Sequence, residues 1–193
     1  VALIEGRLSY TTTLNDIASA SLVIEAIYED FLAKKSLFEA LENIVASDAI
    51  LATNTSSFSV LDLSQGLKHR ERFLGLHYFF HPAKNRLVEV IPTPLTDEHV
   101  IKHVHFLQDK IKKIIITCKD APGFVVNRFF VPWLNEAVKM LAEGYSSATI
   151  EAAAKSYFTI PMGPFELMNV TGTPITLHAA TTLGAQLGDF YMP

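Results

Sequence analysis

The sequence predicts an α/β protein in which a mostly parallel sheet is followed by an all-helical segment. Short apolar runs alternate with amphipathic helical stretches as far as residue 117, the rhythm of βαβ units. The run at residues 22–27 is apolar almost throughout, which is typical of a parallel strand covered on both faces. Beyond residues 120–123, Asp-Ala-Pro-Gly, only helical patterns remain. We therefore expect two domains, at residues 1–121 and 122–193.

Each predicted element has a local reason. Strands are predicted where apolar or β-prone residues cluster between turn residues, at 10–13, 22–27, 49–53, 73–77, 87–91 and 114–117. A brief helical turn is predicted at 14–18. Helices are predicted where apolar residues recur at helical spacing, at 31–46, 60–67, 97–112, 124–142, 148–158, after Pro164 and at 175–187. Thr96 is the expected N-cap of the helix at 97–112.

Composition limits the classes of function. The 193 residues are 49% hydrophobic with a formal net charge of −4, enough for one sizeable core or two modest domains. Lysine and arginine form no stripe, so we expect no nucleic-acid partner. No apolar run reaches the roughly 18 residues of a membrane span, so we expect no membrane partner. The single cysteine, Cys118, cannot form an internal disulfide, which suits a reducing compartment such as the cytoplasm.

The stretch at residues 75–90 carries a histidine and a carboxylate on neighbouring predicted strands. His77 ends the first apolar run and Glu89 lies within the second, so we expect both side chains at the same end of the sheet. A neutral imidazole accepts a proton, and an adjacent carboxylate fixes its tautomer and stabilises the imidazolium that forms. The pair is consistent with general-base catalysis, and a purely structural histidine and glutamate would give the same spacing.

Further polar residues follow the predicted strands, at the edge where open α/β sheets bind ligands. Glu29 follows the strand at 22–27, and an Asn-Thr-Ser-Ser turn at 54–57 follows that at 49–53. The turn has two interpretations. It is the N-cap of the next helix, or its serine bonds a substrate hydroxyl and its asparagine holds a nicotinamide. Asn127 lies among apolar residues and needs a partner, either in the other domain or in a substrate.

Two further patterns bear on metal and cofactor sites. His99 and His103 lie one helical turn apart, as in some zinc sites, but no third ligand accompanies them in the sequence, and we expect no metal. The nine glycines include no pair in the spacing G-x-G. We therefore expect the pyrophosphate-binding strand–turn–helix of a dinucleotide-binding sheet to lie outside this chain.

Several segments together resemble the 3-hydroxyacyl-CoA dehydrogenase family: VIEAIYED, ATNTSS, GLHYFFHP followed by LVEVI, CKDAPGFVVNRFFVPWLNEA and IPMGPFELMN. Their order and spacing are more specific than any one of them. The resemblance implies a Rossmann-type NAD domain, incomplete in this chain at its N-terminal half. It also implies a helical domain that forms a homodimer and closes over an acyl-CoA substrate.

The resemblance also implies roles for individual residues. The expected catalytic residues are His77 as general base, Glu89 as its orienting partner, Ser56 as the group that bonds the substrate hydroxyl, and Asn127 as a substrate-holding amide. The expected cofactor-binding residues, near the NAD ribose and nicotinamide, are Glu29, Lys34 and Asn54. The implied reaction is hydride transfer between C3 of an (S)-3-hydroxyacyl-CoA and NAD, as in fatty-acid β-oxidation.

One departure and two alternatives accompany the resemblance. Many relatives have His-Phe-Phe-Asn-Pro, whereas this chain has His-Tyr-Phe-Phe-His-Pro at residues 77–82, so an asparagine is missing and His81 stands nearby. The first alternative is a non-catalytic association module that retains the packing of the helical domain. The second is a dehydrogenase of a 3-hydroxy acid without CoA, which the turn at 54–57 and the histidine–glutamate pair would also fit.

Overall fold

A computed structural model of the protein describes residues 6–193. Within them, the strands form one sheet in the order β1-β2-β3-β4-β5. Their bounds are β1 Leu22–Glu25, β2 Ile50–Thr53, β3 Phe73–Tyr78, β4 Leu87–Pro92 and β5 Ile114–Thr117. The pairs β1–β2, β2–β3 and β4–β5 are parallel, and β3–β4 is antiparallel. The predicted α/β class with a mostly parallel sheet is confirmed.

Helices connect the strands and then continue without them. Between strands lie α1 Phe31–Glu42, α2 Val60–Leu63 and α3 Glu98–Lys110. After the sheet come α4 Asn127–Ala142, α5 Ser147–Phe158, α6 Pro164–Thr171 and α7 Thr173–Leu187. Short 3-10 helices occur at Leu14–Ile17, Arg70–Arg72 and Asp189–Tyr191. None of the helices in residues 6–193 combines the length and the apolar character needed to cross a bilayer.

The middle of the sheet is covered on both faces, and successive strand residues there belong to opposite buried clusters. Leu51 of β2 belongs to a buried cluster with Phe38 of α1 and Leu63 of α2. The next residue, Ala52, belongs to the opposite cluster with Val104 of α3. Phe124, in the connection to α4, joins the first cluster. Burial on both faces holds for β2, which is buried throughout. It is not confirmed for the run at 22–27, because β1 is an edge strand of the described sheet and Ile24 is 39% exposed.

The predicted strand at residues 10–13 is wrong. These residues pair with no strand in the described part of the chain, and the side chain of Tyr10 is 91% exposed. Thr11 Oγ1 instead donates to Asp16 Oδ2 at 2.5 Å and accepts from Thr13 N at 2.9 Å. Local hydrogen bonds of this kind compete with a strand ladder. β-propensity is therefore not enough for a strand where the described residues provide no neighbour to pair with.

The predicted N-cap at Thr96 is also wrong. Asp97 precedes α3, and Thr96 Oγ1 donates to Phe73 O at 2.7 Å and accepts from Thr93 N at 2.9 Å. The threonine therefore ties the end of β4 to the start of β3.

Several boundaries differ from the prediction as well. The first strand ends at Glu25, α1 ends at Glu42, α2 is a single turn, and α4 begins at Asn127 rather than at residue 124.

Candidate active site

His77 and Glu89 are paired across the antiparallel strands β3 and β4. His77 Nδ1 lies 2.7 Å from Glu89 Oε2. The two residues are 4% and 0% exposed. A carboxylate can only accept, so Nδ1 carries the proton and the neutral ring keeps its lone pair on Nε2. The strand register therefore fixes both the tautomer and the direction of the proton-accepting atom.

The second oxygen of Glu89 holds the start of the helical segment. Glu89 Oε1 accepts hydrogen bonds from Val125 N and Val126 N, each at 2.9 Å. Both amides belong to the turn at residues 123–126, where Gly123 and Phe124 have positive φ angles of 70° and 44°. Successive N–H groups in such a turn point toward one anion. The buried charge is thereby satisfied by three donors.

Ser56 extends the hydrogen-bonded pair of His77 and Glu89 to a line of three side chains. Its Oγ lies 3.0 Å from His77 Nε2, and because Nε2 has only a lone pair, the hydroxyl donates to it. The rings of Phe79 and Phe124 flank the imidazole, with centroids 4.6 and 5.8 Å from its own. A hydroxyl or carbonyl oxygen placed beside Ser56 Oγ would meet the proton-accepting nitrogen directly.

Two asparagines lie next to this line. Asn127 is the first residue of α4, and its Nδ2 donates to Ser56 O at 3.4 Å. Asn54 Oδ1 accepts from Tyr78 N at 2.8 Å, so its amide NH2 group is what the side chain can offer a ligand. The contact predicted between Asn127 and the other part of the chain is present, and its role in holding substrate stays a prediction.

Glu29 and Lys34 lie on the other side of the turn at residues 54–57. Glu29 Oε1 accepts from Thr55 Oγ1 at 2.5 Å. Lys34 is 1% exposed, and its Nζ lies 2.5 Å from Glu25 Oε1. The structure thus brings together every predicted site residue at the carboxyl edge of β1, β2 and β3. The predicted contact of Glu29, Lys34 and Asn54 with a cofactor stays a prediction.

The interpretation of residues 54–57 as a helix N-cap is wrong. Ser59 caps α2, since its Oγ accepts from Asp62 N at 3.1 Å. Asp120 reinforces that helix end by accepting from Val60 N at 2.9 Å and Leu61 N at 2.7 Å. Sequence reasoning missed Asp120, because a contact spanning some sixty residues leaves no local pattern. It likewise missed the backbone amides that bind Glu89, although the glycine before them is a signal for an unusual turn.

The remaining candidates have structural explanations. Burial, together with the negative charges of Glu89 and Asp120, raises the pKa of the Cys118 thiol to about 12, so this cysteine is a poor nucleophile. His99 is exposed and lies 3.5 Å from Asp97. Within residues 6–193, no group of three His, Cys, Asp or Glu side chains is placed to hold a metal ion. His81 Nδ1 accepts from Ala83 N at 3.2 Å within the β3–β4 loop.

Similar proteins give this geometry a context. Residues 2–121 match the family model of the 3-hydroxyacyl-CoA dehydrogenase NAD binding domain, and residues 123–193 match that of its C-terminal domain. The chain is 36% identical over 189 residues to a 3-hydroxybutyryl-CoA dehydrogenase of Clostridioides difficile, covering 97% of this chain and 67% of the relative. It is 38% identical over 178 residues to the human mitochondrial hydroxyacyl-coenzyme A dehydrogenase, covering 90% and 57%.

A solved structure agrees with these relatives. The crystal structure of (S)-3-hydroxybutyryl-CoA dehydrogenase from Ralstonia eutropha aligns with a TM-score of 0.91 and 32% identity, covering 100% of this chain and 69% of that chain. The chain thus spans 57% to 69% of the length of these relatives. With both family domains matched and the sheet, the helical segment and the histidine–glutamate pair in place, the chain belongs to the 3-hydroxyacyl-CoA dehydrogenase family.

Proposed function

We propose that this site interconverts an (S)-3-hydroxyacyl-CoA and the corresponding 3-ketoacyl-CoA with NAD as cofactor. The observation that carries the proposal is the line Ser56–His77–Glu89, in which a buried carboxylate leaves one imidazole nitrogen ready to accept a proton. The names of the relatives, 3-hydroxybutyryl-CoA and hydroxyacyl-coenzyme A dehydrogenase, support an acyl-CoA as the substrate.

In the oxidising direction, His77 Nε2 takes the proton of the substrate hydroxyl, which Ser56 Oγ helps to position. Glu89, buried and 2.7 Å from Nδ1, stabilises the imidazolium that results. When bound, NAD⁺ supplies the two-electron oxidant. In the reducing direction the imidazolium returns its proton to the carbonyl oxygen. One residue thus serves as base and as acid, which an imidazole does well near neutral pH.

The residues at the carboxyl edge fit the nicotinamide end of NAD. Asn54 has an amide NH2 group to offer, because its oxygen is already bonded to Tyr78 N. It follows β2 directly, beside Ser56 and His77, so a ligand held there would lie next to the proton-accepting nitrogen. The G-x-G cradle for a pyrophosphate does not occur in this sequence. We therefore assign only the nicotinamide end to these residues.

The division of the chain at residue 121 is part of the same proposal. Residues 1–121 would carry the cofactor side and 122–193 the helical side, joined by the turn that Glu89 holds. Asn127 bonds Ser56 O across that division. A substrate entering between the two parts would meet groups from both, which supports the helical part as a cover over the acyl-CoA.

A homodimer through the helical part is supported by its exposed aromatic side chains. Neighbouring rings of Phe130, Trp133, Tyr157 and Phe158 form an aromatic face on α4 and α5, here called the α4–α5 face. Tyr157 is 86% and Phe158 56% exposed. The groove between the two helices has a volume of about 440 Å³. Exposed apolar surface of this kind commonly marks a protein–protein contact, and we propose a second copy of the chain.

Two finer proposals concern the cellular setting. A place in fatty-acid β-oxidation is supported by the hydroxyacyl-CoA chemistry in the names of the relatives. A cytoplasmic location is supported by the lone cysteine, which is buried and unpaired.

The function is tested by NADH-dependent reduction of acetoacetyl-CoA, with NADH binding measured alongside on the same chain. We expect NADH binding and turnover, with acetoacetyl-CoA preferred over free acetoacetate. Equal rates on both substrates would contradict the acyl-CoA assignment and favour a dehydrogenase of free 3-hydroxy acids. The absence of both NADH binding and turnover would contradict catalysis by this chain. That result would favour the association module.

A further inference from the structure

The turn that presents Ser56 is organised around one carboxylate oxygen. Glu29 Oε1 accepts from Thr55 Oγ1 at 2.5 Å, Ser57 Oγ at 2.8 Å, Ser56 N at 3.1 Å and Ser57 N at 3.3 Å. All four donors come from three consecutive residues. Hydrogen bonds to an ionised group are about twice as strong as neutral ones. A single side chain, 27 residues away in the sequence from Ser56, therefore fixes the backbone of the turn.

Glu29 is itself held in place by a buried lysine. Lys34 Nζ lies 3.2 Å from Glu29 Oε2 and 2.5 Å from Glu25 Oε1, and it also donates to Ile27 O at 3.2 Å. Glu25 Oε2 in turn accepts from Thr53 Oγ1 at 2.7 Å. A lysine that is 1% exposed has its three donors used within the protein. These bonds connect the ends of β1 and β2 to the start of α1.

Glu29 is ionised under ordinary conditions. Burial opposes ionisation, but hydrogen bonds from Thr55 and Ser57 and the charge of Lys34 lower the pKa of its carboxyl below the ordinary value of 4.5. The charge-assisted bonds to the turn are therefore present at neutral pH.

We propose that Glu29, held by Lys34, is a positioning residue that aims Ser56 Oγ at His77 Nε2. This role deepens the proposed function and rests on it only for its catalytic consequence. Ser56 Oγ lies 3.0 Å from Nε2. The backbone amides of Ser56 and of the next residue, Ser57, both donate to Glu29. Loss of the negative charge in Glu29→Gln would weaken the four bonds to the turn and lengthen the Ser56–His77 hydrogen bond without touching His77 or Glu89.

The chain offers a matched control for such a substitution. Glu42 is a second carboxylate that accepts from two consecutive backbone amides, Lys68 N and His69 N, each at 2.9 Å. Its side chain is 6% exposed and lies 3.8 Å from Arg72 Nη2. It organises a turn before β3, at the opposite end of that strand from His77. Glu42→Gln therefore makes the same change, loss of the charge with an acceptor oxygen kept, away from the candidate site.

The test is the ¹⁵N chemical shift of His77 Nε2, measured by NMR at a pH where the ring is neutral. We expect Glu29→Gln to move this resonance toward its position in Ser56→Ala, and Glu42→Gln to leave it in place. In the Ser56→Ala background, Glu29→Gln should add nothing, because its effect passes through Ser56. An unmoved resonance in Glu29→Gln would overturn the proposal. So would an equal movement with and without Ser56, which would indicate a direct electrostatic effect on the ring.

A second variant covers the case in which Glu29→Gln does not fold. Ser57→Ala removes one of the four donors, Ser57 Oγ, and keeps the carboxylate, and we expect a smaller movement of Nε2 in the same direction. No movement would contradict the proposal.

If the chain reduces acetoacetyl-CoA, Glu29→Gln should lower kcat about tenfold, the effect of roughly one hydrogen bond. A weaker NADH affinity with Nε2 unmoved would overturn positioning in favour of a cofactor contact. If the parent chain shows no turnover but Glu29→Gln shifts Nε2 as expected, the positioning role is supported. Only the proposed function is then contradicted.

Discussion

The candidate active site buries charged side chains, whereas the α4–α5 face exposes aromatic ones. Both arrangements are opposite to what these side chains usually prefer. Around His77, ionisable groups are buried, and each charge of Glu89 and Lys34 is met by donors or acceptors inside the chain. On the α4–α5 face, aromatic rings such as Tyr157 are exposed and lie beside one another. Burying a charge is costly unless it is paired, and exposing a large apolar surface is uncommon in a monomer.

The difference indicates what each region does. A buried polar cluster that is satisfied internally holds a fixed geometry, which suits proton transfer at one atom. An apolar face that the described residues leave exposed suits contact with a partner. The first region is therefore expected to respond to substitution through catalysis and the second through association.

The largest effect is expected from His77→Ala. Loss of a general base lowers turnover by about 10²–10⁴-fold, and we expect the upper part of that range because the same nitrogen serves both directions. The measurement is the kcat for acetoacetyl-CoA reduction by NADH, with circular dichroism to show that the variant is folded. His99→Ala, at an exposed histidine, is the control. A folded His77→Ala variant with most of its kcat would show that His77 is not the base.

The next largest effect is expected from Glu89→Gln, a loss of kcat of about 10²-fold. The amide oxygen can still accept from Val125 N and Val126 N, but its NH2 group then faces Nδ1 and favours the tautomer with the proton on Nε2. Chemical denaturation should show a loss of stability of about 1–3 kcal/mol, since a buried charged acceptor is replaced. If kcat were unchanged, the carboxylate would have no role in orienting the ring.

Tyr157→Glu addresses the α4–α5 face. Placing a charge at the centre of a buried contact should weaken self-association at least tenfold, the effect of a loss of about 1.4 kcal/mol. Light scattering during gel filtration at several concentrations measures it. Tyr10→Glu, at a tyrosine 91% exposed and outside the helical part, should have no effect. A Tyr157→Glu variant that associates as the parent chain does would place the interface elsewhere.

The smallest effect is a pH dependence of stability. The pKa of Glu29 is lowered in the folded chain, so this group adds stability above its ordinary value of 4.5 and loses that contribution as the pH falls through its folded value. Urea unfolding of the parent chain and Glu29→Gln at neutral pH and at pH below 4.5 tests the sign. We expect the difference in the free energy of unfolding to shrink as the pH falls. A difference that is constant with pH would contradict an ionised, bonded Glu29.

The sequence was sufficient for the features that depend on local pattern. Alternating strands and helices predicted the sheet, and the positions of His77 and Glu89 on neighbouring predicted strands predicted that both lie at the same end of it; their pairing in register is a structural finding. The carboxyl-edge rule brought Glu29, the turn at 54–57 and His77 to one edge of the sheet.

Features that depend on distant contacts could not be predicted in this way. The bonds from Val125 N and Val126 N to Glu89, and those from the turn to Glu29, join segments that share no pattern. Residues 10–13 had the composition of a strand but no neighbour to pair with among residues 6–193, and Thr96 had the chemistry of a cap but bonds Phe73 O instead. In each case a tertiary contact, or the lack of one, decided between conformations that the local sequence allows.

Proton transfer at this site requires that Glu89 keep the proton on Nδ1 of His77 and leave Nε2 free to accept one. The ¹⁵N spectrum of the imidazole at neutral pH measures this directly, since the two ring nitrogens have different chemical shifts when protonated and when unprotonated. We predict a protonated Nδ1 and an unprotonated Nε2 that accepts the hydrogen bond of Ser56. A ring with its proton on Nε2 would contradict the account, because that nitrogen could not take the proton of a substrate hydroxyl.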